Sequence, residues 1–170
     1  GNSFDSCIIW SNGSHAVSLA NAGMIVSNSI LQAYGAGRAC FGVVTNGTVV
    51  SDYNNLVVQN GAVIGPNLAG LPMESLTQWS QARGVDIHSL SVDPLFADAA
   101  TDDYHVRSLT GRFDPISSTF VTDTNHSYMI DTASPTDDFA DETAPNGARR
   151  NIGLHGGMSE ASRSRTNAWL

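Results

Sequence analysis

Asn28-Ser29-Ile30-Leu31 is the middle copy of a pattern that occurs three times in the first third of the chain. Ser6-Cys7-Ile8-Ile9 precedes it by 22 residues, and Asn54-Asn55-Leu56-Val57 follows it by 26. A second series runs alongside: Ala16-Val17-Ser18-Leu19, Phe41-Gly42-Val43-Val44 and Ala62-Val63-Ile64-Gly65, at offsets of 25 and 21. A third pair, Met24-Ile25-Val26-Ser27 and Thr48-Val49-Val50-Ser51, is offset by 24. Turn-forming residues separate the apolar runs, among them Ser11-Asn12-Gly13, Asn21-Ala22-Gly23, Tyr34-Gly35-Ala36-Gly37 and Gln59-Asn60-Gly61.

A unit of 22 to 26 residues with up to three short apolar strands cannot bury its own apolar face. Stacking equivalent strands in parallel buries that face and gives each backbone N–H and C=O a partner above and below. Ser6, Asn28 and Asn54 precede the apolar pairs at one register, so their side chains are expected to hydrogen-bond along the stack. A β-sandwich of hairpins is the competing arrangement, because Asn-Gly pairs favour tight hairpin turns. The regular repeat favours an all-β solenoid of about three rungs over residues 1–65.

Further motifs carry a resemblance. Ser51-Asp52-Tyr53-Asn54-Asn55-Leu56 contains a DYN strand. Ser75-Leu76-Thr77-Gln78-Trp79, Asp86-Ile87-His88-Ser89, Asp93-Pro94-Leu95-Phe96 and Asp103-Tyr104-His105-Val106 form a series like SLxxW, DxHS, DPLF, DYHL. Met129-Ile130-Asp131-Thr132-Ala133 and the stretch from Pro145 to Gly157 are similar to xxIDAG and PNGGRINxGxYGG. Together they resemble the C-terminal region of right-handed parallel β-helix repeat proteins of the pectin-lyase-like superfamily. The resemblance covers nearly the whole chain and implies a fold without implying an activity. The chain departs from the pattern at Thr132-Ala133, which replaces Ala-Gly, at Ala148, which replaces Gly, and at His155, which replaces Tyr.

Beyond the rungs, residues 66–158 are expected to form a C-terminal cap of the same domain, with 159–170 as an exit linker or tail. Glu74 and Ser75 open a short helix that Gly84 ends. Trp79 on that helix is expected to cover the edge of the last rung. Ile87 to Val92 reads as a returning strand, Tyr104 to Arg107 as a second and Ile152-Gly153-Leu154 as a final rung strand. Phe113 to Met129 reads as a loop and hairpin, and 134–151 as a surface excursion.

The net charge is −8, with 13 Asp, 3 Glu and no Lys. This argues against nucleic acid as a partner, because phosphate binding needs a basic surface. It also disfavours polyanionic glycans. No apolar run is long enough for a membrane span. Cys7 and Cys40 make no disulfide framework, and two buried thiols stacked in the core are expected.

Catalytic signals are weak. Asp137, Asp138, Asp141 and Glu142 are a candidate calcium cluster, the alternative being a solvated acidic loop; Asp98, Asp102 and Asp103 form a sparser one. Asp131 reads as a structural carboxylate. His88 with Asp86 and His105 with Asp103 look like base–orienter pairs, yet both lie inside architectural motifs. His15 falls in a turn and His126 in a loop, and no nucleophile elbow is present. Asp5 and Asp52 are the only carboxylates in or beside the rung strands, and they are not in neighbouring rungs, as hydrolytic pairs would need to be. Asn12, Asn46 and Asn125 fit the glycosylation pattern, which such a composition produces by chance.

These readings point to a non-catalytic β-helix module of a larger secreted or cell-surface protein, bacterial in type, with a scaffold or glycan-contact role and no required cofactor. The chain opens directly into the apolar run Cys7-Ile8-Ile9-Trp10, so more rungs are expected upstream. Two alternatives stand beside this. One is the C-terminal part of a polysaccharide lyase or glycosidase with its active site upstream. The other is an adhesin segment that self-associates through an open N-terminal rung.

Overall fold

The computed structural model describes residues 2–11, 13–44 and 47–166, and the fold is predominantly β. The chain divides into two compact units, Gly1–Asp93 and Pro94–Leu170. The sequence reading placed the change of character at residue 65, before the short helix. The helix and residues 86–93, part of the expected cap, fall within the first unit with the strands that precede them.

The first unit begins with eight strands: β1 (Asn2–Asp5), β2 (Ile8–Trp10), β3 (His15–Ala20), β4 (Gly23–Ser27), β5 (Ile30–Tyr34), β6 (Ala39–Val44), β7 (Thr48–Asp52) and β8 (Asn55–Gln59). They form three small parallel sheets, ordered β1-β4-β7, β2-β5-β8 and β3-β6. A parallel bridge from Ala39 to Val63 extends the third sheet. The pairs within β2-β5-β8, β3-β6 and β4-β7 are those expected from the repeat, whereas β1, which pairs with β4, was not foreseen. Buried and exposed positions alternate in β3 and β4, whereas β5 and β8 open with two and three consecutive buried residues and β1 is exposed throughout. Val17, Leu19, Val26, Leu31, Ala33, Cys40, Phe41, Leu56 and Ile64 make one continuous core.

The register differs from the sequence alignment by one residue in several places. Met24 pairs with Val49 rather than Thr48, and Val17 pairs with Phe41 rather than Gly42. Ile30 pairs with Asn55, so Asn54 aligns with Ser29 and not with Asn28. Because side chains alternate at period two, a one-residue slip exchanges the two faces of a strand. Ile25 and Val50 are apolar yet stand outward, 51% and 63% exposed, and they disguise the true alternation.

Between the first two sheets the chain turns at residues with positive φ: Ser6 (52°), Asn28 (50°) and Tyr53 (57°). The residue after each turn donates its backbone N–H to a side chain of the next copy. Cys7 donates to Ser29 Oγ at 3.0 Å, Ser29 to Asn54 Oδ1 at 2.9 Å and Asn54 to Ser89 Oγ at 2.9 Å. The expected polar ladder therefore exists, carried by Ser29, Asn54 and Ser89. Asn28 instead donates its side-chain amide to Asp5 at 2.7 Å.

After β9 (Gly65–Pro66) and β10 (Pro72–Met73), a short antiparallel pair, comes α1 (Leu76–Arg83). Ser75 caps its N-terminus by accepting from Gln78 N, and Gly84 ends it in the left-handed conformation at φ 69°. Trp79 is the one buried residue of α1, and its ring stacks on Phe41 at 5.2 Å. Gly65 is required here, because a Cβ would lie 2.8 Å from the Trp79 ring and 2.9 Å from Phe41 O. Trp79 Nε1 donates to Asp86 Oδ2 at 2.8 Å. Asp86 Oδ1 accepts from Ser51 Oγ, Asn54 Nδ2 and Ser89 Oγ at 2.8, 3.2 and 2.7 Å. Asp86 is 1% exposed, and all four partners are donors, as a carboxylate requires. Residues 87–92 form no regular strand. They reach β8 through one parallel bridge, Asn55 to Leu90.

The second unit holds two short antiparallel pairs, β11 (Phe96–Asp98) with β12 (Asp103–Val106), and β13 (Arg112–Asp114) with β14 (Thr119–Val121). Its buried residues include Val106, Met129, Ile130, Ala133, Ile152 and Ala161. Residues 152–154 are turns and not the rung strand expected. The segment read as an exit tail is packed at residues 161–164. Ser162 donates its Oγ to Val106 O, and Ser164 donates to Asp131 Oδ1 at 2.7 Å.

Cys7 and Cys40 are free thiols. Cys40 is wholly buried, whereas Cys7 lies in the Ser29–Asn54 column, so the two do not stack. Burial pushes the Cys40 thiol up to about 12, with the nearby Asp86 charge adding to the effect. In the native protein at pH 8, Ellman's reagent is expected to titrate Cys7 alone, and Cys40 only after denaturation; prompt reaction of both would contradict this packing.

Replacing Asp86 by Ala leaves four donors unmet and is expected to cost about 3 kcal/mol or more. It should lower the urea midpoint with little change in slope. A midpoint equal to that of the parent would show that the carboxylate does not tie these elements together.

Candidate functional site

On the outward face of the β2-β5-β8 sheet, Trp10 lies opposite Gln32, and Tyr34 lies two residues further along β5. Leu31 and Ala33, on either side of Gln32, point into the core. The two aromatic residues are 46% and 61% exposed, and they flank a half-buried amide. Strand spacing sets their Cα atoms about 8 Å apart on one face. Trp10, Gln32 and Tyr34 did not emerge as site residues from the sequence. Their signal was the strand pattern with aromatic residues at outward positions, and it becomes visible only once the register is known.

The histidine pairings differ in part from those expected. Asp86 turns inward, so His88 pairs with Asp52, Nδ1 to Oδ2 at 2.7 Å, and stacks on Tyr53 at 4.9 Å. Asp5 and Asp52 share a column with Ser27 between them, so neither has a neighbouring carboxylate in that column. His15 Nδ1 meets Ser14 Oγ at 3.0 Å, and His126 Nδ1 accepts from Leu109 N at 3.4 Å. Burial, then the Arg165 charge, lowers the His126 pKa. Asp131 accepts from Ser164, and its pKa is raised by burial, with Ser164 and Arg149 opposing. Asn12 and Asn46 lie outside the described residues.

The calcium candidates do not converge. No three of Asp137, Asp138, Asp141 and Glu142 bring carboxylate oxygens within 4.8 Å of one another. Glu142 points inward instead. Its Oε1 accepts from Asn151 N and Gly157 N, each at 2.8 Å, and burial raises its pKa. Asp138 turns back to accept from Ala140 N.

The expected His105–Asp103 pair does form, and it leads to a different cluster. Asp103 Oδ1 lies 2.7 Å from His105 Nδ1, and its other oxygen receives Arg112 at 3.1 Å. A carboxylate only accepts, so His105 Nδ1 carries a proton toward Asp103. His155 stacks on His105 with ring centroids 3.6 Å apart. Glu160 Oε2 stands 3.7 Å from His105 Nε2 and 3.9 Å from His155 Nδ1. Both nitrogens are buried without a hydrogen-bond partner. Glu160 is half-exposed beside an open depression lined by Asp141, Gly157, Met158 and Ser159. Burial first, then the neighbouring His105, lowers the His155 pKa to about 4, with Glu160 and Asp103 opposing.

Comparison with known proteins gave no matching family model, no matching curated protein and no matching solved structure.

The His155 shift has a definite sign. Between about pH 6.5 and 4 the unfolded chain binds a proton at His155 that the folded chain does not. Stability from this group is therefore complete above pH 6.5 and declines as the pH falls toward 4, by roughly 3 kcal/mol at the limit. Glu142 and Asp131 act in the opposite direction, because their folded pKa values are raised. The measurement is thus the difference in urea stability between the parent and His155→Ala, with a chelator present. That difference is expected to move against the parent as pH drops from 7 to 4.5; a pH-independent difference would contradict the assignment.

Proposed function

We propose that this chain is a non-catalytic module of a secreted or cell-surface protein. In this reading its first unit is a short right-handed parallel β-helix of the pectin-lyase-like type, and its outward strand face contacts neutral glycans. The parallel pairing of strands 22 to 25 residues apart supports the solenoid. The motif series from Ser75 to Gly157 supports the family. The outward trio of Trp10, Gln32 and Tyr34 carries the functional reading.

Aromatic faces present apolar area at low entropic cost, and an amide between them both donates and accepts hydrogen bonds. Sugars offer the matching surfaces, apolar C–H faces edged by hydroxyls. The net charge of −8 favours neutral over acidic polymers. Three of the five carboxylates of the first unit fall to other tasks. Asp86 is an internal brace, Asp52 holds His88, and Asp5 receives Ser27 and Asn28.

Affinity electrophoresis against β-glucan, xylan, mannan and polygalacturonate tests this. At least one neutral polymer is expected to retard the protein, and Trp10→Ala or Tyr34→Ala should each weaken the effect about tenfold, near 1.4 kcal/mol. No reducing ends should form on prolonged incubation. Absence of retardation would overturn the glycan reading, and turnover would overturn the non-catalytic one.

A further inference from the structure

We infer that His105 Nε2, His155 Nδ1 and Glu160 form a binding site for a divalent transition ion of the zinc type. The inference is independent of the glycan reading, because its residues all lie in the second unit.

The argument begins with His105. Its side chain is 5% exposed, and its Nε2 has no hydrogen-bond partner. A buried acceptor left unmet is costly, and such groups are rare in native folds. Close to it stand two further ligand types, an imidazole nitrogen and a carboxylate oxygen. The ligand atoms of the three residues lie within 4.8 Å of one another. Among the described residues no other group of His, Cys, Asp or Glu converges in this way.

The surroundings fit a metal as well. A metal-bound histidine usually donates its other ring nitrogen to a carboxylate, which fixes the tautomer and the ring. Asp103 does this for His105, and Arg112 in turn holds Asp103. Two nitrogens and one oxygen suit zinc and its neighbours, whereas calcium and magnesium take oxygen ligands. Three protein ligands leave a coordination position for water, and the depression beside Glu160 gives access from solvent.

One adjustment is needed. The two rings are within 15° of parallel, so their in-plane lone pairs do not meet at one point. His155 is the ring that moves. Its Nδ1 makes no hydrogen bond, whereas His105 is held by Asp103. Metal binding therefore unstacks the pair.

Equilibrium dialysis and calorimetry with Zn²⁺ on the whole chain test the proposal, with Co²⁺ as a spectroscopic substitute. One ion per chain is expected, with visible Co²⁺ bands of low-symmetry coordination and no competition from Ca²⁺. His155→Ala and Glu160→Gln should each weaken binding tenfold or more, while His88→Ala should not. Circular dichroism checks that each variant is folded. In NMR spectra of the parent, the His155 ring protons should shift on Zn²⁺ addition as the stack opens. Three results would overturn the proposal: no stoichiometric binding by the parent, binding that survives His155→Ala and Glu160→Gln, or binding lost with His88→Ala. The first would mean that the contacts serve a histidine cation held between Asp103 and Glu160.

Discussion

The first unit depends on how backbone N–H groups are met where the chain leaves one sheet for the next. At Ser6, Asn28 and Tyr53 the chain turns through the left-handed region. The N–H groups that follow turn out of the strand ladder and need other acceptors. Ser29, Asn54 and Ser89 supply them, each from the copy above. One such bond is worth about 1 kcal/mol net, but an unmet buried donor costs more. The ladder therefore acts mainly on register. A one-residue slip would orphan the donors and turn Val26 outward at the same time.

The ladder also has to stop, and Asp86 is where it stops. Ser89 is the last acceptor, and Asp86 holds Ser89 together with Ser51, Asn54 and the Trp79 indole. One carboxylate thus joins the final strand corner to the helix that covers the core. Residues 90–92 meet β8, and Ile64 meets β6. Covering matters because a free parallel edge invites pairing with other chains. Asp86 is also what an isolated reading of Asp86-Ile87-His88 gets wrong. The positive φ of Asp86 (55°) turns its side chain inward, while Ile87 and His88 remain on the surface.

Much of the first unit was legible in the sequence, and the misreadings have physical causes. The strands and their partners could be found because turn residues and apolar runs recur at a nearly constant spacing. The helix could be found because Ser75 and Gly84 are strong terminal signals and Trp79 sits between them. Register was less legible. Matching apolar residues to apolar residues aligned Val26 with Val50, although one is wholly buried and the other 63% exposed. Structure beyond residue 93 was harder to read, because its strands are three or four residues long and its folding relies on side-chain to backbone bonds. Ile152 is buried as a strand residue would be, yet it sits in a turn braced by Asn151 and Glu142.

The histidine cluster was the least legible feature, and the reason is separation. His105, His155 and Glu160 come from distant stretches, each of which has its own architectural reading. Only packing brings the two rings to 3.6 Å. Yet one sequence feature now gains meaning. His155 stands where the resembled pattern has Tyr. A Tyr there would leave no second imidazole nitrogen without a partner. His155 places a second buried ring nitrogen without a hydrogen-bond partner beside His105. The proposed three-ligand set therefore rests on side chains that meet only in the folded second unit.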